Sequence, residues 1–160
     1  MCNKCLKVKS DTQQEELYFR DNRFREYSIK CSNLLMKFQN HLKVYESRKH
    51  KKGDYVCWYV GFSDIPNEKI CFILRFEIRN KDIYIYFQSS ENVPKEALQH
   101  GEKADPHTGW LLVKYHKYKE HQLIAMINGY LRNVKRNWLD VEKHCQKRRP
   151  CENIKRKIID

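Results

Sequence analysis

The amino-acid sequence predicts an α+β fold, in which long N-terminal and C-terminal amphipathic helices cover one face of a four-stranded antiparallel meander sheet. Apolar residues recur at helical spacing in residues 15–47 and 118–145, whereas residues 55–115 contain four short runs in which apolar and polar residues alternate. The chain has 160 residues, 41% of them hydrophobic, which predicts a single core. We expect one domain at residues 15–145, a polar N-terminal segment at residues 1–14 and a basic C-terminal tail at residues 146–160.

Each predicted helix carries one apolar stripe. The first stripe consists of Cys31, Leu34, Leu35, Phe38, Leu42 and Tyr45, and the basic run before Gly53 closes this helix. The second consists of Leu123, Ile124, Ile127, Leu131, Val134, Trp138 and Val141. Gly129 interrupts the second helix at a cost of about 1 kcal/mol relative to Ala, which allows a local bend without ending the helix.

The four predicted strands cover residues 55–62, 70–79, 83–87 and 110–115. The turn at residues 80–82 makes the second and third strands a hairpin. The long connection at residues 89–108 is a candidate functional loop. We expect one sheet face to pack against the helices, and it consists of Val56, Trp58, Val60, Phe62, Phe72, Leu74, Phe76, Ile78, Ile83, Ile85, Phe87, Leu111 and Val113.

The opposite sheet face is predicted to combine aromatic and charged side chains. Its members are Tyr59, Arg75, Glu77, Arg79, Tyr84, Tyr86, Lys114 and His116. Aromatic rings between cations suit stacked bases and their phosphates, at about 1–3 kcal/mol per stacked base. Ordinary cross-strand pairing on a solvated sheet, or burial against a partner protein, would use the same residue types. An error of one residue in strand register would exchange the two faces.

Charge is the strongest signal of the whole chain. There are 32 Lys and Arg against 20 Asp and Glu, a net charge of +12, which favours a polyanionic partner. We therefore predict a nucleic-acid-binding protein, for DNA or RNA, that relies on phosphate contacts. The expected binding residues are Lys49, Lys51, Lys52, Arg75, Arg79, Tyr84, Tyr86, Lys114, Arg148 and Arg149. The alternative is a protein-interaction or inhibitor module that covers an acidic partner.

Catalytic signals are weaker, so binding is favoured over catalysis. The sequence contains no phosphate-binding glycine loop, no Gly-x-Ser-x-Gly and no His-Glu-x-x-His. Asp64, Glu77 and Arg79 resemble the acidic pair and basic residue with which nucleases hold a divalent metal such as magnesium. A surface salt-bridge pattern explains the same strand residues. His100 and His107 flank a loop and would suit acid and base roles at a phosphate, or are polar surface residues.

The chain has seven cysteines and no apolar run of a secretory signal near its start, so a reducing, cytoplasmic location is expected. Three cysteines are interpreted as small buried hydrophobic residues: Cys31, Cys57 and Cys71. Four others have loose zinc-ligand spacing, with free thiols as the alternative: Cys2, Cys5, Cys145 and Cys151. No stretch approaches the roughly 20 apolar residues of a membrane span, so no membrane partner is expected.

Overall fold

A computed structural model describes residues 22–38, 42–47, 55–64, 70–79, 81–144 and 147–148. The helices are α1 (Asn22–Leu35), α2 (Glu120–Arg136) and α3 (Trp138–His144). The strands are β1 (Leu42–Ser47), β2 (Tyr55–Phe62), β3 (Ile70–Cys71), β4 (Leu74–Arg79), β5 (Ile83–Phe87), β6 (Leu111–Lys114) and β7 (Lys147–Arg148). Within these ranges, an antiparallel sheet has five strands in the order β1-β2-β4-β5-β6, and β3 pairs separately with β7. The α+β class and the antiparallel sheet are confirmed.

The sheet has one strand more than predicted because the N-terminal helical pattern does not continue to residue 47. Helix α1 ends at Leu35, and β1 follows it as the edge strand beside β2. Leu42 and Val44 lie in the main core, while Tyr45 is buried on the other side of the sheet. The spacing of Leu42 and Tyr45 fits a helical stripe, but in a strand it places them on opposite faces.

The strand predicted at residues 70–79 is divided by a bulge into β3 and β4. The amide of Ile73 donates a hydrogen bond to the carbonyl of Val60 at 2.9 Å, although Leu74 is the register partner of Val60. Two consecutive residues therefore face one, which shifts the alternation of side chains. Ile73 and Leu74 both lie in the main core, and Phe72 lies on the opposite face. The inward prediction for Phe72 was wrong for this reason.

The other twelve expected inner-face residues do form one core with the helices. Helix α1 contributes Cys31, Leu34 and Leu35, and α2 contributes Leu123, Ile127, Leu131 and Val134. Both helices thus cover the same sheet face, as their apolar stripes predict. No helix in the described ranges is long and apolar enough to cross a membrane.

The predicted C-terminal helix is divided at Asn137. The backbone of Asn137 leaves the helical region, with φ −101° and ψ 26°, and its side-chain amide donates to Asn92 Oδ1 at 2.8 Å. The side chain of Asn133 donates to the carbonyl of Asn92 at 3.0 Å. These bonds hold the buried Asn92 of the connection between β5 and β6 against the junction of α2 and α3.

Gly129 does not end the helix, as the sequence predicts, since α2 continues through it. Its role is to allow a close approach: a Cβ atom built at Gly129 would lie 2.6 Å from Cγ of Pro94. The proline ring belongs to the connection between β5 and β6. The glycine therefore lets this connection pack directly on α2.

The hydroxyl of Tyr130 joins α2 to two loop segments. Tyr130 is fully buried, and its hydroxyl donates to the carbonyl of Ile73 at 2.6 Å and accepts from the amide of Ser89 at 3.1 Å. The ring meets Phe87 edge to face, with 4.9 Å between centroids. Burial raises the pKa of Tyr130, so the hydroxyl stays protonated and keeps its donor role.

The cysteines differ from the expected set of buried thiols. Cys31 and Cys57 are buried and lie outside any disulfide, and burial raises the pKa of Cys31, which makes its thiol unreactive. Cys71 is also buried but forms a disulfide, with a partner outside the described residues. The interpretation of Cys71 as a simple buried hydrophobic residue was therefore wrong.

Replacing Gly129 by Ala is expected to destabilise the protein by about 1 kcal/mol. Alanine favours a helix interior by about 1 kcal/mol, but forcing a methyl group against the rigid ring of Pro94 costs about 1–3 kcal/mol. Urea unfolding followed by circular dichroism measures the difference. His121→Ala, at an exposed position of the same helix, is the control and should leave stability nearly unchanged. A Gly129→Ala variant more stable than the wild type would contradict the close approach.

Replacing Tyr130 by Phe is expected to lower the free energy of unfolding by about 1–2 kcal/mol, because the amide of Ser89 loses its partner in a partly buried place. The same urea experiment measures it. Tyr27→Phe is the matched control, since it removes an exposed hydrogen bond to the carbonyl of Lys81. Equal effects of the two variants would show that the Tyr130 hydroxyl has no special role.

Candidate functional site

The sheet face opposite the helices, called the outer face, presents the cations and rings that the sequence places there. Strand register sets Arg75 between Tyr59 and Tyr86, and sets Tyr84 between Glu77 and Lys114. The alternation predicted for β4, β5 and β6 is thus present in the fold. Lys43 of β1, opposite Gly61, alternates with the core residues Leu42 and Val44 and so belongs to this face as well.

Two cation–aromatic stacks run across the outer face. The guanidinium of Arg75 lies 4.1 Å from the ring centroid of Tyr86 and 4.9 Å from that of Trp110. The guanidinium of Arg79 lies 4.8 Å from the ring centroid of Tyr84, and Nζ of Lys114 lies 5.6 Å from the same ring. Each tyrosine ring therefore has a cation over it, an arrangement that fixes the position of the charge.

Glu77 is a buried carboxylate between the two arginines. Its side chain is only 6% exposed, and it forms ion pairs with Arg79 and, at 3.6 Å, with Arg75. The expected surface salt bridge is therefore a largely buried one. Such a pair contributes little net stability, because desolvation of the charges offsets their attraction, but it holds both guanidinium groups in one orientation.

The two arginines differ in access to solvent. The side chain of Arg79 is 40% exposed, whereas that of Arg75 is 22% exposed, and the Nε atom of Arg75 is buried. Lys114 and Tyr84 are half-buried. Arg79 and Lys114 can thus reach a ligand in solution, while Arg75 mainly positions Tyr86 and Trp110.

The outer face continues into an aromatic cluster next to the paired strands β3 and β7. Tyr45, Cys57, Tyr59 and Phe72 are buried together, with the ring of Phe72 5.2 Å from that of Tyr59. Strand β3, directly before Phe72, pairs with β7, so that the backbones of Lys147 and Arg148 run beside Cys71 and Ile70. The predicted phosphate contacts Lys49, Lys51, Lys52 and Arg149 lie outside the described residues.

The residues proposed for metal-dependent cleavage lie apart. Asp64 follows β2 and forms an ion pair with Lys135 of α2, on the helix side of the sheet, whereas Glu77 lies on the outer face. The described part of the chain contains no group of three or more side chains suited to hold a metal ion. The four cysteines proposed for zinc, Cys2, Cys5, Cys145 and Cys151, lie outside it.

The two loop histidines, His100 and His107, are exposed, which agrees with their interpretation as polar surface residues. His100 contacts the carbonyl of Lys117 through Nε2 at 2.6 Å, and His107 is exposed in a turn. His116, whose side chain is 63% exposed, contacts the carboxylate of the buried Asp82 through Nδ1. The pairing of His116 with Asp82 has no local sequence signal, because the two residues are 34 positions apart.

A cleft of about 500 Å³ lies where the connection between β5 and β6 meets α3, and the sequence analysis did not find it. Its polar lining is Ser89, Ser90, Glu91, Thr108, Asp140 and His144. Gln88 and Trp110 line both this cleft and a small cavity beside Arg75 and Tyr86 on the outer face. The one signal for it in the sequence is the unusual length of the connection, whose two ends form part of the lining.

A tight turn places Trp110 at this boundary. The carboxylate of Asp105 accepts hydrogen bonds from the amides of His107 at 2.7 Å and Thr108 at 3.2 Å, which lowers the pKa of Asp105. The amide of Asp105 donates to the carbonyl of Trp110 at 2.8 Å. Gly109 has a φ of +73°, a conformation that glycine adopts without strain. The turn therefore fixes the backbone that carries the indole ring.

Comparison of the chain with models of protein families, with curated proteins and with solved structures finds no match in any of the three. The residues and contacts of this chain alone therefore support the function proposed for it.

Proposed function

We propose that this chain binds nucleic acid through its outer face, with phosphate contacts that supply most of the affinity and limited reading of sequence. The supporting observation is the fixed arrangement of Arg79, Tyr84 and Lys114, in which two cations lie over one ring. Both cations are partly accessible. Each can contact a phosphate of a bound strand.

The charge of the outer face fits this partner. Its described side chains include four cations, Lys43, Arg75, Arg79 and Lys114, against the carboxylate of Glu77. Glu77 holds Arg79 at its Nε edge, so the guanidinium presents its remaining donors in a fixed plane. Since these side chains are already ordered, binding a phosphate has a smaller entropic penalty.

A base would stack on the guanidinium of Arg79 rather than on a bare ring. Arg79 covers Tyr84 and is partly exposed, and planar guanidinium groups accept stacked bases as aromatic rings do. Such stacking is tolerant of sequence, which suits a single strand. In this arrangement the ring of Tyr84 lies against the guanidinium of Arg79 and holds it in place.

The basic C-terminal segment would extend the same surface. The pairing of β7 with β3 brings the backbones of Lys147 and Arg148 next to the segment that leads into Phe72 of the outer face. In the proposed function the basic residues of this segment, together with Lys49, Lys51 and Lys52, contact phosphates further along the strand.

A salt titration with labelled single-stranded and duplex DNA and RNA tests the proposal. We expect the logarithm of affinity to fall linearly with the logarithm of salt concentration, and the double variant Arg79→Gln, Lys114→Gln to reduce the single-strand slope by about 1.4, or 0.7 for each lost phosphate contact. Lys95→Gln with Lys103→Gln is the matched control, since both lysines are exposed on the connection between β5 and β6.

Two results would contradict the proposal. If the wild type binds no nucleic acid at low salt, the proposal fails and an acidic protein partner becomes the better candidate. If both double variants reduce the slope equally, affinity depends on the net charge of the chain and not on the cations of the outer face. The samples are run on a denaturing gel with and without magnesium, so that cleavage is detected as well.

We also propose a cytoplasmic location from the odd number of cysteines, and the disulfide of Cys71 is the observation against it. Disulfides are rare in reducing compartments. The test is to lyse the cells that naturally make this protein directly into denaturant with an alkylating reagent, so that buried thiols also react, and to count modified cysteines by mass spectrometry. A cytoplasmic protein should carry all seven modifications. Protection of Cys71 from alkylation until a reductant is added would overturn this location.

A further inference from the structure

We propose that the cleft between Glu91 and Asp140 receives one unpaired base of a strand bound on the outer face, and prefers a base with an exocyclic amino group, such as cytosine. This inference rests on the proposed function, because the outer face must hold the strand. A base is read in such pockets by hydrogen bonds to its edge and by stacking on an aromatic ring.

The size and lining of the cleft suit a small planar ligand with several hydrogen-bonding groups. Its volume of about 500 Å³ lies within the range of small-molecule sites, roughly 300–1,000 Å³. Ile73 and Val141 supply apolar surface, and Ser90 and Thr108 supply hydroxyl groups that both donate and accept. Trp110 supplies an aromatic ring.

The charge of the cleft argues against phosphate and for a base. Lys and Arg make up 32 of the 160 residues, yet neither occurs among the eleven described residues that line the cleft. The lining includes the two carboxylates of Glu91 and Asp140, and in the described part of the chain neither of them forms an ion pair. Carboxylates accept hydrogen bonds from the amino group of cytosine and repel phosphate.

The cleft and the outer face adjoin each other at two shared residues, Gln88 and Trp110. Trp110 lines the cleft, and its ring centroid also lies 6.3 Å from that of Tyr86 and 4.9 Å from the guanidinium of Arg75. Gln88 likewise lines both the cleft and the small outer-face cavity. A strand that follows the tyrosines of β5 therefore arrives at the indole ring, where one base can leave the stack and enter the cleft.

The two acidic walls are held in fixed relation. Glu91 directly precedes Asn92, and Asp140 lies three residues after Asn137. The side chains of Asn92 and Asn137 are joined by a hydrogen bond of 2.8 Å, and Asn133 donates a second bond to the carbonyl of Asn92. The backbone segments that carry the two carboxylates are thus positioned before any ligand binds, which favours selectivity.

The experiment compares two labelled oligomers of about eight nucleotides, one of thymidine alone and one with a single central cytidine, by fluorescence anisotropy. We expect the cytidine oligomer to bind about tenfold more tightly, the effect of one well-formed contact between a carboxylate and a base. Glu91→Ala and Asp140→Ala should each abolish this preference and leave the affinity for the thymidine oligomer unchanged. The matched control is Glu96→Ala, an exposed acidic residue of the same connection.

A second readout is tryptophan fluorescence. The cytidine oligomer should quench the emission more than the thymidine oligomer does, and Trp110→Phe should remove that difference while Trp58 and Trp138 remain. Equal affinity of the wild type for the two oligomers would overturn the inference and leave the proposed function intact. An equal loss of affinity for both oligomers in the Glu91 and Asp140 variants would also overturn it. If neither oligomer binds at low salt, the proposed function fails, and the inference fails with it.

Discussion

The buried hydroxyl of Tyr130 is the interaction on which the functional surface depends. It joins the carbonyl of Ile73, inside the bulge, to the amide of Ser89, at the start of the connection between β5 and β6. A buried hydroxyl has to find partners, so this side chain fixes both segments relative to α2. The bulge in turn sends Phe72 to the outer face and sets the register in which Arg75 meets Tyr86. One hydroxyl group thus aligns the cation–aromatic stacks with the wall of the cleft.

Glu77 offsets the repulsion between two arginines that β4 places on one face. Arg75 and Arg79 lie on the same face of β4, four residues apart, and their charges repel. The carboxylate between them is almost fully buried, so its attraction is weakly screened by solvent. It neutralises only one of the two charges and leaves the face positive. The buried carboxylate therefore contributes more to the order of the cations than to net stability.

Sequence patterns predicted β2 and β5 with their observed bounds, because each is a short run whose residues alternate between the two sheet faces and which is bounded by polar turn residues. They failed where one residue changes the pattern, as at the Ile73 bulge and at Asn137, and at β1, whose short apolar spacing fits a helix as well as a strand. The outer-face residues were predictable from the same alternation. The cleft and the pair of His116 and Asp82 were not, because they join residues that are distant in the chain and have no shared local pattern.

The outer face is positive and the cleft is lined by two carboxylates, so the proposed function and the inference drawn from it assign the two surfaces different tasks. Affinity for the phosphate backbone is common to every strand and weakens with salt, so cations alone bind without choosing a sequence. A lysine inside the cleft would attract that same backbone and occupy the space meant for a base. A lining of carboxylates and hydroxyl groups excludes phosphate and still accepts amino groups. Since Trp110 borders both surfaces, a strand held by the outer face in the proposed function would be presented to the cleft, and selectivity would be added without loss of general affinity.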